Sequence, residues 1–585
     1  MSHDLVIRGG TVIDGTGAER YTADIAVSDG RIAAIESKPG AIGPGKRELD
    51  ANGALVTPGF VDIHTHYDGQ ASWDADLAPS TLHGVTTMVM GSCGVGFAPV
   101  RTEDHARLVE LMEGVEDIPG TALHEGLTWK WESFPEYLDA LDAFGHAADI
   151  ACQVPHDALR VYVMGERAVA HSVATEDDIR TMHDLVAEAL DAGAVGFSTG
   201  RTDNHRSAQG AFTPASEAGE RELVGIAKAF AGRTGVLQAV SDFDFAQGSK
   251  EFDREFDILQ AMVEAGAGHK ASFSLLQRDN VPGQYKRVLK RVSAAREQGL
   301  DLRVQVACRP IGVLLGLEAT FHPFMGFPSY KKIHAEPLAE RVRILSDPAY
   351  KARLLAEESE PVAGDGSPIP ALADELLNAM QLISMRIFRL GRTPDYEPKM
   401  EDSLFFEAQR TGEPVMSVLY DAMLEDGGEA LLYFPLYNYA ANDLKAVREM
   451  MTHPAALPGL SDGGAHVGTI CDASFPTTLL THWGRDRSEG TLPLERLVQM
   501  QTADTADHMG FSDRGRLLVG KKADLNLIDF DRLTLKRPGL ARDLPAGGRR
   551  LVQEATGYLA TVLSGEVVRE NGAFTSARPG RVVRT

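Results

Sequence analysis

The sequence predicts an α/β protein built on a (β/α)8 TIM-type barrel, with a β-sandwich domain formed by both chain termini and an insertion before the last barrel strand. Three observations support this fold class. Both chain ends alternate apolar and polar residues, the middle alternates short apolar runs with amphipathic stretches, and one interval is too long for a simple crossover. The 585 residues suffice for a barrel with accessory domains.

Hairpin strands are predicted at both ends of the chain. DLVIRGGTVIDGTG and ADIAVSDGRIAAI near the start, and ADLNLIDFDRL and GYLATVLSGEVVRENGAF near the end, alternate apolar and polar residues between Gly-rich turns. Residues 1–54 and 512–585 are therefore predicted to be β structure, which the family resemblance given below assigns to one β-sandwich domain.

Residues 55–511 supply the eight candidate barrel strands. These strands are Leu55–His64, Thr86–Gly91, Asp149–Val154, Ala194–Ser198, Gly235–Val240, Ala271–Leu276, Leu302–Ala307 and Leu457–Ser461. Amphipathic stretches such as Glu176–Ala192 and Glu217–Phe230 lie between them and predict the outer helices. The interval 310–430 exceeds a crossover, so we expect an insertion that lies over the barrel mouth as a lid.

The bulk composition limits the classes of partner. A formal net charge of −25 repels phosphate backbones and anionic lipids, so we expect neither nucleic acid nor membrane binding. The expected partner is a small-molecule substrate. The four cysteines are scattered without a CxxC pair, and the N-terminus carries no secretory pattern, which predicts a cytoplasmic protein. Barrels with accessory domains often pair, so a homo-oligomer is also compatible with the sequence.

The strongest chemical signal is VDIHTHYDG, in which His64 and His66 are two residues apart at the end of an apolar strand. Residues i and i+2 of a strand point to the same face, so the two imidazoles can form half of a metal site. Cys93 follows the next strand in TTMVMGSCGVG, where a thiolate can be a third ligand. A lone buried cysteine is more often a small hydrophobic residue, but the preceding HxH favours ligation.

Asp462 in GLSDGGAH ends the last predicted strand. A carboxylate at this position can contact the metal and carry protons for a bound water, although Asp-Gly pairs are also common in turns. His466 follows in the same loop and is a candidate substrate contact.

Several segments together resemble the N-acyl-D-amino-acid deacylase (D-aminoacylase) branch of the amidohydrolase superfamily, from near residue 5 to about residue 530. They are VDIHTHYDGQASWD, STLHGVTTMVMGSCGVGFAPVR, ALRVYVMGERA, EALDAGAVGFSTG, GLSDGG and RGRLLVGKKADLNLID. The resemblance implies a barrel with a β-sandwich from both ends. It also implies a metal site formed by His64, His66, Cys93 and Asp462.

The sequence departs from that family at two metal ligands. The family has histidines at the end of the fifth strand and after the sixth, where this chain has Gln238 and Leu275. One ion is therefore favoured over two, with Gln238 as a weak oxygen donor. We expect zinc, with iron or manganese as alternatives.

The family's cationic anchors for the substrate carboxylate are also replaced, by Gln277 and Ala455. Arg201 and Arg309 are the candidate substitutes, because a carboxylate needs a cation. Without such an anchor the substrate would be a neutral amide or a cyclic compound. His205, in the loop after the fourth predicted strand, is a further candidate substrate contact. His156, in PHDALR, matches a motif of the resembled family after the third strand, which implies either a contact that polarises the substrate carbonyl or a residue that braces the barrel.

These observations predict a metal-dependent amidohydrolase, in which a metal-activated water attacks a carbonyl and cleaves a C–N bond other than a peptide bond. Asp462 accepts the proton of the water and returns it to the leaving nitrogen. Two alternatives remain. One is hydrolysis of a lactam or cyclic amidine by the same site, and the other is a non-catalytic descendant that binds a ligand.

Overall fold

The computed structural model describes residues 2–244, 248–363 and 372–585, and its strands and helices are numbered in chain order. The N-terminal strands are β1 (His3–Val12), β2 (Tyr21–Ser28), β3 (Arg31–Glu36), β4 (Gly45–Asp50) and β5 (Leu55–Pro58). The barrel strands are β6 (Phe60–Asp62), β7 (Val85–Met90), β8 (Asp149–Pro155), β9 (Gly196–Arg201), β10 (Val236–Ser241), β11 (Lys270–Leu275), β12 (Leu302–Val306) and β16 (Ala456–Pro458). The insertion contains β13 (Ile311–Leu315), β14 (Phe388–Leu390) and β15 (Leu431–Tyr437).

The remaining strands are β17 (Leu525–Ile528), β18 (Thr534–Leu535), β19 (Gly539–Ala541), β20 (Arg550–Val552), β21 (Ala555–Thr556), β22 (Tyr558–Leu563), β23 (Glu566–Glu570) and β24 (Ala573–Phe574). The helices up to the insertion are α1 (His105–Glu116), α2 (Gly120–Gly126), α3 (Phe134–Asp142), α4 (His156–Met164), α5 (Glu166–Val169), α6 (Glu176–Asp191), α7 (Glu220–Ala227), α8 (Ser249–Ala265) and α9 (Gln284–Glu297). The later helices are α10 (Pro328–Lys331), α11 (Leu338–Leu345), α12 (Pro348–Leu355), α13 (Leu372–Asn378), α14 (Met380–Ile383), α15 (Leu404–Thr411), α16 (Val415–Leu424), α17 (Lys445–Met451), α18 (Phe475–Thr481), α19 (Leu494–Gln499) and α20 (Thr505–Met509).

The eight barrel strands form one sheet in which every neighbouring pair is parallel and strand order follows the chain. The barrel closes between its first and last strands, where the backbone N–H of His66 donates to Gly463 O at 2.8 Å. Parallel strands joined by outer helices and closed in this way are a TIM barrel. The predicted fold class is confirmed.

Helix α6 shows why the amphipathic stretches form the outer layer. Its apolar residues face the barrel, while Thr175 and Asp178 form a capping box at its start. The backbone N–H of Asp178 donates to Thr175 Oγ1 at 3.2 Å, and the backbone N–H of Thr175 donates to Asp178 Oδ2 at 2.8 Å. Two N–H groups that the helix itself cannot satisfy are thereby paired.

The chain ends combine in a nine-stranded sheet of order β24-β23-β22-β17-β5-β1-β2-β3, with β4 paired to β1. Strand β1 is forked, because its first half pairs with β4 and its second half with β5. Side chains from distant strands, such as Ile25 of β2 and Val562 of β22, share one apolar cluster. The sheet is therefore folded over a common core, as a sandwich requires.

The predicted strand Leu55–His64 is divided between the two domains. Its first part, β5, pairs with β1 and β17 in the terminal sheet, and its second part, β6, is the first barrel strand. Gly59 lies between them, where a Cβ would approach Thr86 Oγ1 to 2.1 Å, so only glycine fits. The predicted boundary at residue 54 must therefore move past Pro58.

The insertion has an antiparallel sheet of order β13-β15-β14 and its own apolar core, to which helices α10–α16 contribute. Its last strand extends to Tyr437, beyond the predicted end at residue 430. The apolar run LLYFPLYNYA is both a buried strand and, at Leu436 and Tyr437, part of a cavity wall. Within the described ranges, every helix is too short or too polar to cross a lipid bilayer.

Candidate metal centre and active-site cavity

Three potential ligands converge where β6 and β7 end. One ligand atom each from His64, His66 and Cys93 lies within 4.8 Å of the others, and all three side chains are buried. His64 Nε2 lies 3.3 Å from Cys93 Sγ. The C-terminal ends of barrel strands meet on one face, which explains how residues from separate strands come together.

Asp462 approaches the same atoms from the loop after β16. Its Oδ1 lies 3.3 Å from His64 Nε2 and 3.7 Å from His66 Nε2, and it has no hydrogen-bond partner among the described residues. Burial alone would raise the pKa of Asp462, but the adjacent His66 and His64 outweigh this effect and hold the pKa below its usual range. Asp462 is therefore a carboxylate directed at the centre of the cluster.

The orientation of His64 fits metal ligation. Its Nδ1 lies 2.7 Å from Gln305 Oε1, and Gln305 Nε2 donates to Ser272 Oγ at 3.0 Å, which fixes the oxygen of the amide towards the imidazole. Nε2 is thus left to face Cys93 and Asp462. Metal-ligating histidines generally donate their second ring N–H in this manner.

The donor set of two imidazoles, a thiol and a carboxylate matches zinc or a similar divalent metal. Burial raises the pKa of the Cys93 thiol, and the nearby carboxyl groups of Glu116 and Asp462 raise it further. Thiolate ligation at this position therefore requires the positive charge of a bound metal.

Glu116, at the end of α1, is a component that the sequence did not reveal. It is 1% exposed, and its Oε1 lies 3.2 Å from His66 Nδ1 while its Oε2 lies 3.6 Å from His466 Nε2. In HARLVELMEGVE it resembles any charged residue of an amphipathic helix. Only the tertiary structure brings it beside a ligand.

A cavity of about 230 Å³ opens above the cluster. Its walls are mostly apolar, and the insertion supplies much of them through Ile311, Val313, Phe321, Leu376 and Leu436. Such a cavity, apolar with a few convergent polar groups at one end, is typical of a small-molecule site.

Two of the predicted substrate contacts, His205 and His466, line this cavity. Burial and then the neighbouring His466 lower the pKa of His205 to about 3, and burial lowers the pKa of His466. Both are therefore neutral imidazoles at pH 7 that can donate a hydrogen bond.

His156 and Gln238 do not reach the cavity. His156 Nδ1 lies 2.9 Å from Thr199 Oγ1, and its Nε2 lies 3.1 Å from Glu222 Oε1. Gln238 accepts a hydrogen bond from Gln153 Nε2 at 3.0 Å and donates to Ile63 O at 3.2 Å inside the barrel. Their polar groups are satisfied by the scaffold, so these positions brace the barrel.

The two predicted carboxylate anchors are also engaged elsewhere. Arg201 forms a buried ion pair with Glu255 at 2.5 Å. Arg309 is 1% exposed and pairs with Asp472 at 3.0 Å. A buried guanidinium that already has a carboxylate partner is not available to a substrate, and neither residue lines the cavity.

Arg278 is the single arginine or lysine among the described residues that line the cavity. It is half-buried after β11, with its guanidinium carbon 5.6 Å from the centre of the Tyr437 ring. The preceding Gln277, where the anchor was expected, instead accepts a hydrogen bond from the backbone N–H of Ala440. Sequence reasoning missed Arg278, which could have been found from its position just after the sixth barrel strand.

Comparison with known proteins found a matching protein family and several similar proteins. A model described as the amidohydrolase family matches residues 47–374 and 387–569. An N-acyl-D-glutamate deacylase of Alcaligenes xylosoxydans xylosoxydans is 36% identical, covering 99% of this chain and 96% of its own length. A D-aminoacylase of the same organism is 27% identical, and the match covers 99% of this chain and 97% of that protein's length.

A solved structure of N-acyl-D-glutamate deacylase from Bordetella bronchiseptica, complexed with zinc and a phosphonate inhibitor that mimics the tetrahedral intermediate, superposes with a TM-score of 0.63. The two chains are 25% identical, and the match covers 100% of each.

Proposed function

The chain belongs to the amidohydrolase family, and from this premise we propose that it is a metal-dependent deacylase of N-acyl amino acids. It is a hydrolase of amide bonds that uses a divalent metal. The finer assignment, a bond other than a peptide bond in an N-acyl-D-amino acid, is supported by the relatives that act on such compounds. The four free cysteines support a reducing cytoplasm as its location.

His64, His66 and Cys93 would hold the metal, with Asp462 completing the donor set. One zinc ion is the proposed occupancy, because this is the single three-ligand cluster among the described His, Cys, Asp and Glu side chains. When bound, the metal supplies a Lewis acid and an activated water nucleophile.

Asp462 carries the proton transfers in this proposal. Its Oδ1 is directed at the cluster and has no other partner among the described residues, so it can accept a proton from the attacking water. The same oxygen then returns the proton to the leaving nitrogen, which departs as a neutral amine. His205 and His466, as neutral imidazoles, can donate hydrogen bonds to the carbonyl oxygen.

The substrate is proposed to carry one carboxylate and an apolar side chain. Arg278 is the one guanidinium in the described cavity lining, so it can bind a single carboxylate. The surrounding walls, with Leu276, Ile311 and Leu436, exclude a second charge because they offer it no partner. An N-acyl derivative of a hydrophobic amino acid therefore fits better than one of aspartate or glutamate.

The test is hydrolysis of a panel of N-acetyl amino acids of both stereochemical series by zinc-loaded protein. Chromatography with mass detection should find the free amino acid and acetate in equal amounts, fastest for hydrophobic D-amino acids. The Asp462→Asn variant is the control for contaminating activity. Ammonia as the product, or faster turnover of neutral cyclic amides, would refute the deacylase assignment.

A further inference from the structure

We propose that Glu116 is a positioning residue of the metal centre, which holds the His66 ring so that Nε2 faces the site; this inference rests on the proposed metal site. His66 Nδ1 lies 3.2 Å from Glu116 Oε1, and His66 Nε2 lies 3.7 Å from Asp462 Oδ1. The ring therefore presents one nitrogen to each carboxylate. Ligation through Nε2 places the proton on Nδ1, which then needs an acceptor.

His64 provides an internal parallel. Its Nε2 faces Cys93 at 3.3 Å, and its Nδ1 faces the oxygen of Gln305 at 2.7 Å. An oxygen atom thus lies behind each imidazole, hydrogen-bonded to Nδ1 in His64 and 3.2 Å from Nδ1 in His66. The acceptor of His64 is a neutral amide on a barrel strand, whereas that of His66 is the carboxyl group of Glu116, which in its ionised form makes the imidazole a stronger electron donor.

The surroundings of Glu116 leave it no other polar role. The side chain is 1% exposed, and neither oxygen has a well-aligned hydrogen-bond partner within the described ranges. Among the described residues, the basic side chains within ion-pair distance of it are His66 and His466. A buried carboxylate costs free energy unless it is paired, so its stable environment is one in which these imidazoles donate to it.

The backbone holds Glu116 in register with the metal loop. The backbone N–H of His466 donates to the carbonyl oxygen of Glu116, which ties the end of α1 to the loop that carries Asp462. The position of the carboxylate relative to His66 is therefore set by two elements that both border the site. Glu116 acts on the metal through His66 and is not itself a ligand.

Asp117 offers a matched control in the adjacent position. It is buried too, but it accepts hydrogen bonds from the backbone N–H of Gly468 at 3.1 Å and from Thr320 Oγ1 at 3.2 Å. It therefore fastens the same loop to the insertion without touching His66. A substitution there reports the cost of disturbing the loop alone.

The experiment is titration of metal-free full-length protein with Co²⁺, followed by visible absorption, in the wild type and in Glu116→Gln, Glu116→Ala and Asp117→Asn. The expected result is an affinity loss of about tenfold to a hundredfold for Glu116→Ala, with a shifted cobalt spectrum. A smaller loss is expected for Glu116→Gln, whose amide oxygen can still accept the Nδ1 proton. Asp117→Asn should retain the wild-type spectrum and affinity.

Unchanged cobalt binding and spectra in both Glu116 variants would overturn the inference and leave the proposed metal site intact. An equal spectral change in Asp117→Asn would also overturn it, because loop disturbance would then suffice. Failure of the wild type to bind Co²⁺ would overturn the proposed function itself, and the inference with it. Circular dichroism verifies folding, and if Glu116→Ala is unfolded, the isosteric Glu116→Gln variant decides.

Discussion

Asp462 Oδ1 lies 3.3 Å from His64 Nε2, although one residue follows the last barrel strand and the other the first. The closure of the barrel creates this contact, since the bridge between Thr65 and Gly463 joins the two strand ends. A carboxylate and an imidazole are thus brought to one point by the topology of the fold. The proposed chemistry depends on this relationship.

The first prediction concerns Asp462. Replacing Asp462 by Asn removes the proton acceptor and keeps the shape, so kcat should fall by a factor of about 10²–10⁴. Metal content should stay close to the wild-type value, because His64, His66 and Cys93 remain. Kinetics and metal analysis of the same preparation measure both quantities. Comparable turnover in the variant would remove Asp462 from the proton transfers.

The second prediction concerns the substrate carboxylate. Arg278→Met removes a charge-assisted hydrogen bond, so KM for an N-acyl amino acid should rise about tenfold to a hundredfold. The matched substrate is the corresponding N-acyl amino acid amide, which lacks the negative charge and should be hydrolysed equally by variant and wild type. Equal losses on both substrates would show that Arg278 supports the cavity wall and does not bind the carboxylate.

The third prediction separates Arg201 from substrate binding. Arg201→Met leaves Glu255 as an unpaired buried carboxylate, which should cost about 3–5 kcal/mol of folding stability. KM of the folded variant should be unchanged, because Arg201 does not line the cavity. Thermal unfolding and steady-state kinetics measure the two effects. A raised KM with unaltered stability would restore Arg201 as an anchor.

The fourth prediction concerns acid stability and His83. This residue is fully buried between Thr477 and the carbonyl of Gln553, and burial lowers its pKa from 6.5 to about 3. Below pH 6.5 His83 binds a proton in the unfolded chain but stays neutral in the folded chain. The folded state therefore loses up to about 1.4 kcal/mol per pH unit as the pH falls towards the folded pKa.

Urea unfolding of His83→Gln between pH 7 and pH 4.5 tests this point, because its midpoint should fall less steeply with pH than that of the wild type. His183→Gln on the surface helix α6 is the control for the general effect of replacing a histidine by glutamine. Identical slopes for all three proteins would contradict the lowered pKa of His83 in the folded state.

The strand-end motifs made the convergence of the candidate ligands predictable. His64, His66, Cys93 and Asp462 each follow an apolar run, and the barrel collects such ends on one face. Arg201 ends β9 and Arg309 follows β12, but their partners Glu255 and Asp472 are distant in sequence and could not be inferred.

Two features depended on tertiary structure alone. The division of Leu55–His64 arises at Gly59, where a side chain would collide with Thr86 of β7, and an apolar run does not reveal such a close approach. Glu116 belongs to a helix between β7 and β8 whose pattern predicts only an amphipathic surface. Its contact with His66 comes from the docking of that helix on the barrel mouth.

The most direct test of the metal-dependent mechanism is metal analysis by plasma mass spectrometry of the purified protein beside His64→Ala and Cys93→Ala. About one equivalent of zinc per chain is expected in the wild type, and a marked loss in both variants. Two equivalents would contradict the single site, and no metal after reconstitution with zinc would contradict the metal-dependent mechanism itself.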